Sequence, residues 1–265
     1  MSETPVLVTK AGGITRLTLN RPERLNSLNR ALFEAMMAAL AEAAKEDSCR
    51  VVVLTGGGRA FCAGQDLSDE IYSATGPQPD VGPVVERYNA MIERMRRLPK
   101  PIIGAVNGIA AGGGASLALA CDIVFAKKSA TFLQAFAKIG LVPDCGGTYF
   151  LPRIAGEARA RGMALLAEPI KAEQAEAWGM IWKAVDDDKF DAEVEAAAGK
   201  LAVAATYGLA LTKQALLASG DNDLTTQLRL ERDLQRQASA SPDYLEGVGA
   251  FLAKRPAKFT GKKGP

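Results

Sequence analysis

The chain has 265 residues, 48% of them hydrophobic and 23% charged, the ordinary balance of a protein that buries one large core. Its 32 Lys and Arg nearly cancel 30 Asp and Glu, leaving a net charge of +2 and no electrostatic reason to expect nucleic acid or a membrane surface as partner. Histidine is absent, so Ser-His-Asp and Cys-His nucleophile systems, HExxH metalloproteases and Cys/His zinc sites are all excluded, and acid–base chemistry is left to carboxylates, Lys, Tyr, Cys or water.

The opening MSETPVLVTK has no basic region followed by an apolar stretch, which predicts no signal peptide and a cytoplasmic protein. Val6–Thr9 and Ile14–Leu19, joined through Gly12-Gly13, predict a β-hairpin that Asn20-Arg21-Pro22 ends. Asn29 is the expected N-cap of a helix to about Lys45, with Leu32, Met36 and Leu40 on its apolar face. Val51–Thr55 reads as a strand covered on both faces, stopped by Gly56-Gly57-Gly58. Residues 71–83 are rich in Pro and Gly and predict a loop, then Val84–Leu98 a helix.

The most informative stretch is 104–153. An apolar strand (Ile102, Ile103, Ala105, Val106) runs into Gly112-Gly113-Gly114 and then a buried helix, and Ile123–Ala126 is a further strand. A loop without side chains lets a ligand touch backbone N–H groups at the positive end of a helix. A second glycine-containing loop, 61–67, also follows an apolar strand. The pattern is neither GxGxxG nor GxxxxGK[ST], so a nucleotide phosphate loop is not supported. Asp144 is the only carboxylate between Asp122 and Glu157. On the residues alone it is either a turn residue after Pro143 or a base with a raised pKa, held in an apolar wall of Phe132, Phe136, Ile139, Leu141 and Val142. Asp66 and Asp122 are expected to cap helices or bond backbone. After about residue 155 the chain reads as almost entirely helical, in segments near 157–167, 171–178, 189–203, 207–219, 222–239 and 241–253. The four cysteines form no CxxC pair and predict free buried thiols. Alternating strand and helix to about residue 150 predicts an α/β fold.

Taken together, FCAGQDL (61–67), AVNGIAAGGGASLALACD (105–122) and GLVPDCGGTYFLPR (140–153) resemble the crotonase, or enoyl-CoA hydratase/isomerase, superfamily, over nearly the whole chain. The resemblance implies a spiral of ββα turns with a helical C-terminal trimerisation region. Residues 1–200 would form the core with the acyl-CoA site, and 201–265 the helical part for oligomerisation and CoA contacts. It implies an acyl-CoA thioester substrate, no cofactor beyond the CoA of that substrate, and a homotrimer or dimer of trimers. By position, the Gln65 and Gly113 amides would hold the thioester oxygen and Asp144 would be catalytic. Arg24, Leu25, Ala63, Gln65, Asp66, Leu67, Gly112, Gly113 and Phe136 would contact substrate, as would Lys254, Arg255, Phe259 and Lys262 of the basic tail.

Hydratases of this superfamily use two glutamates, and Ser116 and Phe136 stand at those positions. Asp144 matches the site where isomerases and dehalogenases of the superfamily carry an aspartate, and the dehalogenases also need a histidine. The implied reaction is therefore an isomerisation. The segments GQDL, TGPQPD, FAKIGLVPDCGGTYFLPR, AEAWGMIWKAVDD and LERDLQRQ are most similar to the branch that isomerises a ring epoxide of phenylacetyl-CoA. A 3-enoyl to 2-enoyl isomerase and an enoyl-CoA hydratase remain the alternatives. An RNA-binding branch also exists, but the helix from Arg30 to Lys45 carries only those two basic residues.

Overall fold

The computed structural model describes residues 4–68 and 80–264. Most of the loop predicted at 71–83, and Glu70 before it, lie outside the described residues. The predicted hairpin is present as β1 (Val6–Ala11) and β2 (Ile14–Leu19), paired antiparallel with Ala11 opposite Ile14. Gly12 and Gly13, both at positive φ, make the turn between them. A 3-10 turn at Pro22–Arg24 leads to α1 (Arg30–Lys45), whose N-cap Asn29 side chain accepts from the Leu32 amide at 2.9 Å.

Three ββα turns follow. They run β3 (Val51–Gly56), β4 (Ala60–Cys62) and α2 (Gly82–Arg97); β5 (Ile102–Val106), β6 (Ile109–Ala111) and α3 (Gly113–Leu119); then β7 (Ile123–Lys127), β8 (Thr131–Leu133), a 3-10 turn at Ala135–Ile139 and α4 (Gly147–Ala155). The first strand of each turn enters a six-stranded sheet ordered β1-β2-β3-β5-β7-β10, the second a four-stranded sheet ordered β4-β6-β8-β9. Within the first sheet every pairing after the hairpin is parallel. Successive strands therefore stack the three β-to-helix loops on one another, and this repetition brings distant loops to one place.

The rest of the chain forms α5 (Glu157–Leu166), β9 (Ile170–Lys171), α6 (Ala172–Ala177), β10 (Lys183–Val185), α7 (Phe190–Ala202), α8 (Thr206–Ala218), α9 (Leu224–Ser239) and α10 (Pro242–Leu252). The six helical segments read from the sequence are all present. The two short strands among them, β9 and β10, depart from the all-helical expectation. Each is two or three residues long, too short to show a period of two, and each exists through its partner: Ile170 opposite Phe132, and Ala184 opposite Ala126.

Both faces of the large sheet are buried, as its apolar runs require. Val51, Val53, Ile103, Ala105, Phe125 and Val185 face α7 through Phe190, Val194, Ala198 and Ala202. Their alternates, Val52, Leu54, Ile102, Val106 and Val124, belong to the main core with α1, α2 and α3. All four cysteines are free and buried. Among the described residues no single helix is long and apolar enough to cross a membrane.

Candidate active site

Two loops distant in sequence meet at the end of β4 and β6. The segment after the Pro22–Arg24 turn pairs with the one after β4: Ala63 N–H donates to Leu25 O at 3.0 Å, Leu28 N–H to Gly64 O at 2.7 Å, and Asp66 N–H to Leu28 O at 2.9 Å. A trans peptide holds its C=O and N–H on opposite sides. Since the Gly64 carbonyl faces Leu28, the Gln65 N–H of the same peptide faces away from it. The same rule applies at α3. The Gly112 carbonyl accepts from Ala115 N–H and Ser116 N–H inside the helix, so the Gly113 N–H points out of its start.

The two loops touch. A Cβ placed on Gly64 would lie 2.8 Å from Ala111 O and 3.5 Å from Gly113 N, and φ +90° there is left-handed. Gly112 has φ 53° and ψ −128°, a conformation open to glycine, and its N–H is anchored to the Leu133 carbonyl at the end of β8, at 2.7 Å. The closeness of the Gly64 and Gly113 loops thus comes from long-range pairing that one sequence does not display.

Asp144 sits against Gly113. A Cβ on Gly113 would lie 3.3 Å from Asp144 Oδ1, 3.2 Å from Cys145 Sγ and 3.5 Å from Leu28 Cδ1. Asp144 enters a tight turn into α4, closed by Gly147 N–H on Asp144 O at 2.9 Å, with Cys145 (φ 51°) and Gly146 (φ 80°) both left-handed. The Oδ1 atom is buried without a hydrogen-bond partner. Burial pushes the Asp144 carboxyl above the usual carboxylate range, with the Cys145 thiol and its own backbone opposing.

The apolar wall expected around Asp144 is only partly there. Phe132 and Phe136 are buried, and a Cβ on Gly112 would touch the Phe136 ring at 3.8 Å. Ile139, Leu141 and Val142 are instead exposed, Val142 by 79%. Gly140 (φ 71°) closes the 3-10 turn between Ile139 and Leu141. Ser116 is fully buried one turn along α3 from Gly113, and Gln134 Nε2 donates to its Oγ at 3.5 Å.

The structure brings Leu25, Ala63, Gln65, Asp66, Gly112, Gly113, Phe136 and Asp144 together. Arg24 and Leu67 flank the group and are exposed. The Asp66 carboxylate is committed within the protein: it accepts from Arg21 at 2.8 Å and from the Ser68 hydroxyl and amide. Burial opposes its ionisation, but these donors outweigh it and hold the pKa at about 2. Its carboxylate therefore bonds backbone and Arg21, in line with the backbone-bonding expectation. Asp122 likewise accepts from Ile102 N–H at 2.8 Å and from Lys213 at 2.7 Å.

The tail contacts α10, Arg50 and the end of α9 at Ala240. Asp243 accepts from the Thr260 and Gly261 amides, Arg255 pairs with Glu246 at 2.7 Å, and Arg50 donates to Thr260 O at 2.8 Å. Phe259 packs on Gly247, and Lys254 is exposed at φ 51°. A cavity of about 1330 Å³ lies between α2, α8 and this tail. Gly146, Tyr149, Phe150 and Lys262 line it, but Gln65, Gly113 and Asp144 do not, so it is separate from the amide–carboxylate cluster. Sequence reasoning missed Arg21, Leu28, Gln134 and Cys145, whose parts depend on pairing across the chain. Only Cys145, wedged between Asp144 and two glycines, left a local signal.

The enoyl-CoA hydratase/isomerase family pattern matches residues 9–262. The chain is 55% identical over 251 residues to the 1,2-epoxyphenylacetyl-CoA isomerase of Escherichia coli K12, covering 94% of this chain and 96% of that one. It is 48% identical over 250 residues to a probable enoyl-CoA hydratase of Rhodobacter capsulatus, covering 94% and 95%. Among solved structures, an enoyl-CoA hydratase from Bacillus anthracis superposes with a TM-score of 0.92 at 33% identity, over 97% of this chain and 100% of that one. With the spiral of ββα turns and the paired glycine loops already in place, these matches show that the chain belongs to the enoyl-CoA hydratase/isomerase family.

Proposed function

We propose that this protein is an acyl-CoA isomerase acting on 1,2-epoxyphenylacetyl-CoA. One observation carries the reading: a single largely buried carboxylate, Asp144, adjoins Gly113, while Ser116 and Phe136 occupy the positions of the hydratase glutamates. The Gln65 and Gly113 N–H groups hold the thioester oxygen. Asp144 breaks the Cα–H bond by taking its proton, and the electron pair moves into the enolate, whose negative oxygen the two amides stabilise. For the epoxide, the carbon–carbon bond shared by the epoxide and the ring opens to the seven-membered oxepin. The proton returns to a remote carbon, and the double bond ends conjugated with the thioester. Substrate and product contain the same atoms and electrons, so the step requires no redox group or metal. Removing one amide from such an oxygen site costs about 2.7–4 kcal/mol of transition-state stabilisation.

In this reading residues 1–200 carry the site and 201–265 serve assembly and CoA contact. Exposed Leu224, Leu228, Leu245, Val248, Phe251 and Leu252 on α9 and α10 support association into a trimer or a dimer of trimers. A light-scattering mass equal to one 27.9 kDa chain would remove that part. The four free thiols are in keeping with a cytoplasmic enzyme.

The test offers the epoxide thioester and, separately, an α-deuterated 3-enoyl-CoA in ordinary water, with products followed by mass spectrometry. Conversion to an isomer of unchanged mass, with part of the label retained at the γ carbon, supports one shielded carboxylate. The 48% identical relative named as a hydratase favours hydration as the second reading. Crotonyl-CoA hydrated at about 10 per second or faster, with no isomerisation, would establish that reading in place of ours.

A further inference from the structure

The cavity between α2, α8 and the tail takes no part in the proposed reaction, and its charge is one-sided. Seven Lys and Arg side chains line it against two carboxylates, Asp47 and Glu93. Two of the seven have a carboxylate partner: Arg97 pairs with Glu93 at 3.5 Å and Lys213 with Asp122 at 2.7 Å. Among the described residues, Arg50, Arg96, Lys100, Lys262 and Lys263 have no carboxylate within ion-pair distance. The crowding reaches Lys213, whose pKa is lowered by burial, raised by Asp122 and lowered again by Arg96. Like charges crowded in a cleft repel one another, and its walls focus their field on an anion that enters.

The chain spends structure on this arrangement. Asp243 accepts from the Thr260 and Gly261 amides at 2.6 and 2.7 Å. Gly261 (φ 73°) passes so close to Arg50 that a Cβ there would lie 2.5 Å from the guanidinium carbon, and a Cβ on Gly264 would run into the Ala240 carbonyl. These contacts on either side hold Lys262 and Lys263 at the cavity. Lys262, which the family resemblance assigns to substrate contact, lines this cavity and not the amide–carboxylate cluster. On α2 the Arg96 guanidinium lies 5.4 Å from the centre of the Phe150 ring, which steadies it without neutralising it. Ile92, Leu98 and Leu211 add a buried apolar floor. Beside it the half-buried Tyr207 ring is tied down by its hydroxyl, which donates to Gln237 Oε1 at 3.4 Å. Gln237 and the exposed Leu228 stand about 180° apart around α9, so the cavity is on the side of that helix away from the proposed association surface.

We propose that this cavity binds a nucleoside polyphosphate, with its phosphates at Arg96, Lys262 and Lys263 and its base on the Tyr207 ring and the apolar floor. The volume of about 1330 Å³ exceeds the about 300–1,000 Å³ of an ordinary small-molecule pocket and admits base, sugar and phosphates together. A lone carboxylate or phosphate answers one cation, whereas a chain of phosphates spans several. Arg forks onto two phosphate oxygens and Lys adds point charges. A polyphosphate without a ring leaves the tyrosine and the floor unused. No bond forms or breaks here, and none of Gln65, Gly113 and Asp144 lines the cavity, so the site is independent of the isomerase reading.

Calorimetric titration of the full-length protein at about 0.1 M salt, with ATP, inorganic tripolyphosphate and adenosine as probes, tests the site. ATP should bind with a Kd below about 1 mM, tripolyphosphate about tenfold or more weakly, and adenosine more weakly still. Arg96→Gln and Lys263→Gln should each weaken ATP binding by about tenfold, and Arg96→Lys, which keeps the charge, by less. ATP should leave the KM of the acyl-CoA that the enzyme turns over unchanged. Four results each overturn the inference: no ATP binding at about 1 mM, tripolyphosphate bound as tightly as ATP, Gln variants that bind ATP as the unmodified protein does, or competition between ATP and the acyl-CoA. A loss in Arg96→Lys as large as in Arg96→Gln would trace the effect to packing on Phe150 and overturn it as well.

Discussion

Replacing Asp144 with asparagine should change catalysis and stability in opposite directions. The folded protein holds this carboxyl above the usual carboxylate range, because burial disfavours the charge and Oδ1 has no partner. The folded state therefore keeps the proton to a higher pH than the unfolded chain does. Stability falls as pH rises between the two pKa values, so the cost is absent below the unfolded value and fully present above the folded one. At neutral pH Asp144 is a destabilising charge. A buried polar group left unpaired costs about 1–3 kcal/mol, and an amide relieves only part of this because its own donors need partners. We expect Asp144→Asn to gain about 1 kcal/mol at pH 7, or about 2–4 °C in Tm for a chain of this size. The gain should shrink as the pH is lowered toward the carboxylate range, which thermal melts across pH can follow. Turnover should fall by about 10²- to 10⁴-fold, or about 3–5 kcal/mol in the barrier. A lower Tm at pH 7 combined with near-normal turnover would refute the whole argument. Another carboxylate, such as Glu70, would then be the next candidate.

Three further outcomes follow from contacts near the site. Asp66→Asn should lose about 1–2 kcal/mol, since its pKa of about 2 lies below the unfolded value; the lost stabilisation is the part present above about pH 4 and fading as pH falls toward about 2, read as a urea midpoint across pH. Asp122→Ala leaves the Lys213 ammonium, nearly buried against the Met95 and Lys100 carbonyls, without its counter-ion, and should cost about 3 kcal/mol in the same assay. The unmodified enzyme should hydrate crotonyl-CoA very slowly, and Ser116→Glu combined with Phe136→Glu should raise that rate; a spectrophotometric assay of the enoyl thioester decides it.

The legible parts of the fold are those in which a run of residues carries its own instruction. Asn29 caps α1 as its side chain dictates, Gly12-Gly13 turns the first hairpin, and the helical segments from 157 onward announce themselves by Ala- and Leu-rich composition, all but α6 over more than two turns. The strands β4, β6 and β8 have three residues each, and their identity comes from the neighbour they pair with. The same holds for the site. Asp144 stands out because no other carboxylate is near it in the chain, and the triple glycine stands out by composition. Their adjacency arises from the pairing of β6 with β8 and from the Gly112 amide bonding to the Leu133 carbonyl, contacts between segments apart in the chain. The apolar wall fails for a related reason. Hydrophobicity marks Ile139, Leu141 and Val142, but whether an apolar side chain is covered depends on which elements pack on it, and their own run of residues does not say.

A shared fold does not choose the reaction in this family, because in the proposed reading the same amide pair would polarise the thioester for hydration and for isomerisation alike. The choice lies in which acids and bases surround the α and β carbons. Adding water requires one group to activate it and another to deliver a proton to carbon. Moving a double bond requires only that one proton be taken and returned. In this chain the two glutamate positions hold a buried serine bonded to Gln134 and a phenylalanine packed on Gly112, neither of which takes a proton at neutral pH. One carboxylate remains beside Gly113, and burial raises its pKa above the usual carboxylate range. That asymmetry, rather than the fold, is what points to an isomerase.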